Sequence, residues 1–108
     1  MPPNFEDKFD TILKDKNEKK IEKPKMYKVV LLNDDFTTME FVVQVLETIF
    51  HHTKEAAESI MKSVHQTGKG IAGIYTFDVA ETKAMETMAW AKVNEFPLVA
   101  KLEKDENS

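Results

Sequence analysis

Residues 26–42 read MYKVVLLNDDFTTMEFV, and this stretch changes character at its middle. Residues 26–32 are rich in β-branched and aromatic side chains, a composition typical of a strand. Residues 33–35 are Asn and Asp, which favour a turn because their short side chains bond to nearby backbone groups. Thr37 and Glu40 then have the spacing of a capping box at the start of a helix. The stretch therefore predicts a strand, a turn and a helix in immediate succession.

The rest of the chain shows further segments with the patterns of helices and strands. Apolar side chains at three- and four-residue spacing predict an amphipathic helix over residues 39–50. Thr53 suits the N-cap of a second helix, and Gly68 suits the left-handed position that ends it. A third helix is predicted between Asp78 and Asn94. The predicted apolar face of the first helix is Met39, Val42, Val43, Leu46, Ile49 and Phe50. The remaining strands are predicted over residues 71–77 and 98–102.

The predicted order of elements is β-α-α-β-α-β. Three short strands and three helices are accommodated most simply by one small sheet packed by the helices, so the sequence predicts an α+β fold, a two-layer sandwich. Residues 26–104 form the predicted core, and residues 105–108 a polar tail. Residues 1–25 carry too few apolar groups to offset chain entropy and are predicted to be a flexible extension. Its apolar stripe from Phe5 to Leu13 is compatible with either a transient docking helix or a solvated leader.

Composition excludes several classes of protein. The 108 residues suit one domain, and apolar and charged contents of 42% and 31% suit an ordinary globular protein. The absence of cysteine excludes a disulfide scaffold and a thiol nucleophile. A net charge of -4 argues against a nucleic-acid partner. With neither a signal peptide nor a membrane span in the sequence, we expect a cytoplasmic protein with no membrane partner.

Motifs that would indicate catalysis or a cofactor are incomplete. Residues 68–70, Gly-Lys-Gly, lack the spacing of a phosphate-binding loop. Asp34 and Asp35 lack the further oxygen ligands and the glycine of a calcium loop. The histidines do not form a zinc motif, and no serine has the context of a nucleophile elbow. We therefore predict no catalytic residue, no metal site and no cofactor.

One group of residues combines polar acceptors with methionines. Asn33 and the two aspartates follow the first strand, while Met61 and His65 share a face of the second helix at i, i+4 spacing. If the strand end and both helices converge, they form an apolar cup with a polar rim. The alternative is a methionine-rich core with a surface histidine, and periodicity alone favours this alternative because apolar stripes usually belong to the core.

The blocks of sequence around these residues resemble ClpS, the bacterial Clp protease adaptor family. The resemblance covers about residues 26–104, and its motifs stand in the family's order and spacing. These motifs are residues 26–42, VHQTGK at 64–69, VAETK at 79–83, EFPL at 95–98 and LE at 102–103.

The resemblance implies an adaptor with no enzymatic activity of its own. Such an adaptor binds N-degron substrates, which are proteins whose first residue is Leu, Phe, Tyr or Trp. It delivers them to a ClpA-type AAA+ unfoldase and its ClpP peptidase, so the expected partner is the N-terminal domain of that unfoldase. The free adaptor is expected to be a monomer, and we expect its N-terminal extension to be a regulatory or delivery element.

The resemblance also assigns residues to three roles. The positions that receive the substrate's α-amino group match Asn33, Asp34, Asp35 and His65. The side-chain pocket and its gate match Thr37, Met39, Val42, Met61, Val64 and Leu98. The contact with the unfoldase matches Asp78, Glu81 and Lys83.

Two functions of other classes stay open beside this one. A general interaction module would bind an internal peptide or a helix through the same apolar face. A small hydrolase would use His65 and Asp35, although neither a nucleophile nor an oxyanion site can be recognised. Acetylating a test peptide's N-terminus separates the module from the adaptor, and a turnover assay detects the hydrolase.

Overall fold

The computed structural model describes residues 23–107. The predicted element order and the α+β class are confirmed. Most of the predicted extension, including the stripe from Phe5 to Leu13, lies outside the described residues. The elements are β1 (Met26–Leu32), α1 (Met39–Thr48), α2 (Lys54–Thr67), β2 (Lys69–Thr76), α3 (Phe77–Val93) and β3 (Val99–Lys104).

The sheet is antiparallel with the strand order β2-β1-β3, so β1 is its central strand. Leu31 of β1 lies opposite Gly70 of β2 and Ala100 of β3. Side chains alternate between the faces of a strand, and Val29 and Leu31 on one face are fully buried in the core. The most apolar strand therefore takes the central position, where it is hydrogen-bonded on both edges and packed against the helices.

Helix α3 packs closely because its inner face carries small side chains. Ala80, Ala84 and Ala91 are buried, as is Thr87, whose hydroxyl donates to the backbone carbonyl of Lys83. Aromatic rings join the end of this helix to α1, with the centroid of Phe41 5.2 Å from that of Trp90 and 4.9 Å from that of Phe96. The core is thus a continuous cluster that includes residues of all three helices and the sheet.

The N-cap of α1 differs from the prediction. Thr38, and not Thr37, caps the helix, because its side-chain oxygen accepts a 3.1 Å hydrogen bond from the backbone N–H of Phe41. The N-cap Thr53 and the left-handed Gly68, with φ of 91°, are as predicted for α2. Helix α3 begins one residue before Asp78, at Phe77, so the second predicted capping pattern is also wrong.

The buried face of α1 also differs in part from the predicted one. Val42 and Leu46 are buried as expected, but Phe41 and Val45 are buried too. Met39 is 48% exposed, since it lies in the first turn beyond the edge of the core. This exposed methionine borders the cavity described next.

Candidate functional site

The loop between β1 and α1 is organised by the carboxylate of Asp34. One oxygen accepts hydrogen bonds from the backbone N–H groups of Phe36 (2.8 Å) and Thr37 (2.6 Å), and the other accepts from the Thr37 hydroxyl (2.6 Å). Burial raises the pKa of this carboxyl, but the hydrogen bonds from Thr37 and Phe36 outweigh burial and hold the pKa below the usual aspartate value. Asp34 is therefore an anion that fixes the shape of the loop.

A backbone hydrogen bond fastens this loop to the end of α2. The N–H of Asn33 donates to the carbonyl of Gly68 over 2.9 Å. Gly68 lies in the left-handed region, and its own N–H donates to the carbonyl of Val64 over 3.0 Å, which ends the helix. The exposed side chain of His65 in the last turn consequently lies near the exit of β1.

These elements enclose a cavity of about 430 Å³, which we call the loop cavity. Its wall is polar where the loop and His65 border it and apolar where α1 and α2 border it. The lining residues are Asn33, Asp34, Asp35, Phe36, Thr37, Thr38, Met39, Val42, Met61 and His65.

The predicted unfoldase contact lies on a different helix, α3. Asp78 and Glu81 are exposed there, whereas Lys83 is half-buried and has internal partners. The Lys83 ammonium donates to the carbonyl of Ile49 over 2.7 Å, beyond the last turn of α1, and lies 5.3 Å from the ring centroid of Tyr75. Lys83 therefore stabilises the packing of α3 against α1, whatever contact it makes outside the chain.

The chemistry available in the loop cavity is that of binding. Carboxylate, amide and imidazole groups supply hydrogen-bond acceptors at one end, and two methionines supply a deformable apolar surface at the other. Within residues 23–107 no group of three or more His, Asp and Glu side chains is placed to hold a metal ion. No helix in that range has the length and hydropathy needed to cross a membrane.

Comparison with known proteins identifies the family. The family described as ATP-dependent Clp protease adaptor protein ClpS matches residues 22–101. A ClpS adapter of Acetivibrio thermocellus is 50% identical over 95 residues, which are 88% of this chain and 96% of that protein. The chain belongs to the ClpS family. A second ClpS adapter, of Gluconobacter oxydans, is 54% identical over 83 residues, covering 77% of this chain and 70% of the relative.

A solved ClpS structure shares the fold. It is Agrobacterium tumefaciens ClpS2 bound to L-phenylalaninamide, with a TM-score of 0.74 and 38% sequence identity. The match covers 77% of this chain and all of that one. The ClpS resemblance inferred from the motifs is therefore confirmed, and the chain is a Clp protease adaptor.

The structure brings together most of the residues that the ClpS resemblance assigned to substrate binding. All the residues assigned to the amine line the loop cavity, as do Thr37, Met39, Val42 and Met61. Val64 and Leu98 do not line the loop cavity and lie instead in the buried core.

Two residues without an assigned role also line the loop cavity. Phe36, whose side chain is 75% exposed, and Thr38 lie in the loop next to assigned residues. Both follow Asp34 in the turn, so a turn centred on Asp34 is the sequence signal that would have included them.

Proposed function

We propose that this ClpS-family chain binds the free N-terminus of proteins beginning with Leu, Phe, Tyr or Trp and delivers them to a ClpA-type unfoldase and its ClpP peptidase. The loop cavity carries the proposal, since it places amine acceptors beside an apolar surface of suitable size. The ligand of the Agrobacterium structure, L-phenylalaninamide, supports it because that molecule combines a free α-amino group with an aromatic side chain.

The polar end of the cavity suits an α-amino group. This group has a pKa of about 8, so it is mostly a cation with three donors at pH 7. The Asn33 side-chain oxygen, the Asp35 carboxylate and a ring nitrogen of His65 supply acceptors for these donors. Asp34 adds negative charge while it holds the loop, because its pKa is lowered by the bonds from Thr37 and Phe36.

An internal peptide would be rejected by the same groups. Its nitrogen carries one hydrogen and no charge, so several acceptors would lose their hydrogen bonds to water without gaining a partner. Each such loss costs about 1–3 kcal/mol. The cavity should therefore distinguish a chain end from a segment within a chain.

The apolar end of the cavity suits more than one side chain. Met39 and Met61 are flexible and polarizable, so they can pack against either leucine or an aromatic ring. A side chain branched at Cβ is stiffer and wider next to the backbone, so it should clash at the mouth of the cavity. We expect valine and isoleucine to be excluded for this reason.

A fluorescence-anisotropy titration tests recognition. Labelled peptides beginning with Leu or Phe should bind at least about a hundred-fold more tightly than the same peptides acetylated at the N-terminus, since acetylation removes the charge and two donors. Peptides beginning with Val should bind weakly. Equal affinity of free and acetylated peptides would instead indicate the general interaction module.

Variants assign the binding to the loop cavity. Asn33→Ala and His65→Ala should each weaken binding roughly ten-fold through a lost hydrogen bond to a charged group. Asn107→Ala, at an exposed position in the turn after β3, serves as the matched control and should bind like the parent chain. Unchanged affinity in both cavity variants would remove these residues from the site.

Delivery needs a separate assay, because it involves a second surface. A shallow cavity of about 300 Å³ lies on α3. It is bordered by Asp78, Val79, Thr82, Lys83 and Glu86. In a reconstituted degradation reaction, Glu81→Lys should slow substrate loss without changing peptide affinity, and Glu47→Lys on α1 should have no effect. Equal degradation rates for the two variants would refute the assignment of Glu81.

A further inference from the structure

A second cavity lies between α1 and α2, next to the loop cavity. This α1–α2 groove has a volume of about 430 Å³. Met39, Val43 and Met61 give it an apolar floor. Its rim is formed by the polar and charged residues Glu40, Gln44, Lys54, Glu58 and Lys62.

The two cavities share a wall. Met39 and Met61 line both, one from each helix, whereas Val43 lines the groove alone. Met39 is the first apolar residue of α1, and it is 48% exposed. A ligand that passes from the loop cavity over these two methionines would enter the groove directly and would cover the exposed surface of Met39.

The geometry of an extended peptide selects the residue that reaches the groove. Successive side chains of an extended chain point to opposite sides, and the chain advances about 3.3–3.4 Å per residue. The first and third side chains therefore point the same way, about 7 Å apart, and the second points away. When the first side chain occupies the loop cavity, the third is the next one directed at the protein surface.

We propose that the α1–α2 groove binds the side chain of the third residue of the substrate and selects apolar side chains there. This inference rests on the proposed binding of a free N-terminus in the loop cavity. It extends recognition beyond the first residue to an adjoining part of the unfolded N-terminal segment.

The composition of the groove favours an apolar occupant. The two glutamates and two lysines of its rim carry balanced charge, so the rim does not attract one sign of ligand. Within the described residues, none of the four rim charges forms an ion pair with another. An apolar side chain gains contact with Val43 and the methionine pair, and a serine gains little because it has almost no apolar area to bury.

Three peptides test the proposal, each with a free N-terminus, the same polar continuation and a C-terminal fluorophore. They begin Leu-Ser-Leu, Leu-Leu-Ser and Leu-Ser-Ser. We expect Leu-Ser-Leu to bind about five-fold more tightly than the other two, as partial burial of one leucine side chain allows. The first two peptides have identical composition, so only the position of the second leucine differs. Equal affinities, or tighter binding of Leu-Leu-Ser, would overturn the proposal.

A variant connects the effect to the groove. Val43→Thr replaces an apolar wall by a polar one of the same shape, and the preference for Leu-Ser-Leu over Leu-Ser-Ser should fall below about two-fold. Val93→Thr, on the exposed end of α3, is the matched control and should retain the preference. Retention of the full preference in Val43→Thr would contradict the assignment to this groove.

Nuclear magnetic resonance gives a measurement that needs no variant. The methyl signals of Val43 should shift when Leu-Ser-Leu binds and remain in place with Leu-Ser-Ser, whereas those of Met39 and Met61 should shift with both. Unmoved Val43 signals with every peptide would overturn the proposal.

Acetyl-Leu-Ser-Leu distinguishes failure here from failure of the proposed function. If free peptides bind and the acetylated one does not, the N-terminal function stands whatever the third residue does. If acetylation has no effect, the proposed function itself fails.

Discussion

The hydroxyl of Thr37 donates a 2.6 Å hydrogen bond to the carboxylate of Asp34, three residues earlier in the chain. The same carboxylate accepts from the backbone N–H of Thr37, so residue 37 is held by both its backbone and its side chain. This pair leaves the capping of α1 to Thr38. The loop that forms the polar wall of the loop cavity is thus closed independently of the helix that follows it.

Thr37→Val should weaken substrate binding while leaving the fold intact. The change keeps the shape of the side chain but removes the hydroxyl donor, at a cost of about 1 kcal/mol, and Asp34 loses one of the bonds that fix the loop. We expect affinity for a Leu-starting peptide to fall roughly five-fold by anisotropy. Thr82→Val, which removes a hydroxyl bonded to a carbonyl within α3, is the control and should leave affinity unchanged.

The stability of the domain should depend on the ionisation of Asp34. Its folded-state pKa is lowered below the usual value of 3.8, so its contribution is complete above the unfolded pKa and is lost as the pH falls through the folded pKa. Urea unfolding between pH 6 and pH 2.5 should show an acid-sensitive component of the free energy that disappears in Asp34→Asn. Asp35→Asn is the matched control next to it, and identical pH profiles for the two variants would contradict the prediction.

Lys83→Met should destabilise the chain by about 1–2 kcal/mol, because the carbonyl of Ile49 loses a charged donor in a half-buried position. The rings of Phe50 and Tyr75 also lose their contacts with the cation that the substitution removes. Chemical denaturation provides the measurement, with Lys104→Met on β3 as the exposed control. Stability equal to that of the control would mean that the ammonium makes no net contribution.

Gly68→Ala should cost about 1–2 kcal/mol through backbone strain alone. The residue has φ of 91°, yet an added Cβ would meet nothing within 4 Å, so no steric contact enters. Gly68→Asn should cost less, since asparagine tolerates the left-handed region better than alanine. Thermal unfolding of the three chains should give melting temperatures in the order glycine, asparagine, alanine, and an alanine variant as stable as the parent would exclude the strain.

Local signals in the sequence predicted the parts of the fold that depend on local chemistry. The N-cap Thr53 and the C-cap Gly68 could be predicted because each is the only residue of its kind at its helix end. Thr37 and Thr38 are adjacent and chemically identical, so the choice between them depends on which hydroxyl Asp34 engages.

Tertiary contacts determine the features that local sequence patterns did not predict. Helix α1 has apolar residues on most of its circumference, and burial of Phe41 depends on the distant rings of Trp90 and Phe96. The internal partner of Lys83 is Ile49, 34 residues away, and no local pattern indicates such a bond. Most residues of the loop cavity were predictable because they match the motifs of one family, whereas the burial of Val64 and Leu98 in the core depends on tertiary packing.

The loop cavity and the shallow cavity on α3 have no lining residue in common, which bears on how the sequence can diverge in evolution. The cavity takes its lining from residues 33–65, and the shallow cavity on α3 takes its lining from residues 78–86. The buried alanines of α3 face the core, so the outer surface of the helix can vary without disturbing the loop cavity. If the two surfaces have the roles proposed above, selection can change the affinity for the unfoldase and the choice of substrates as two largely independent traits within one small domain.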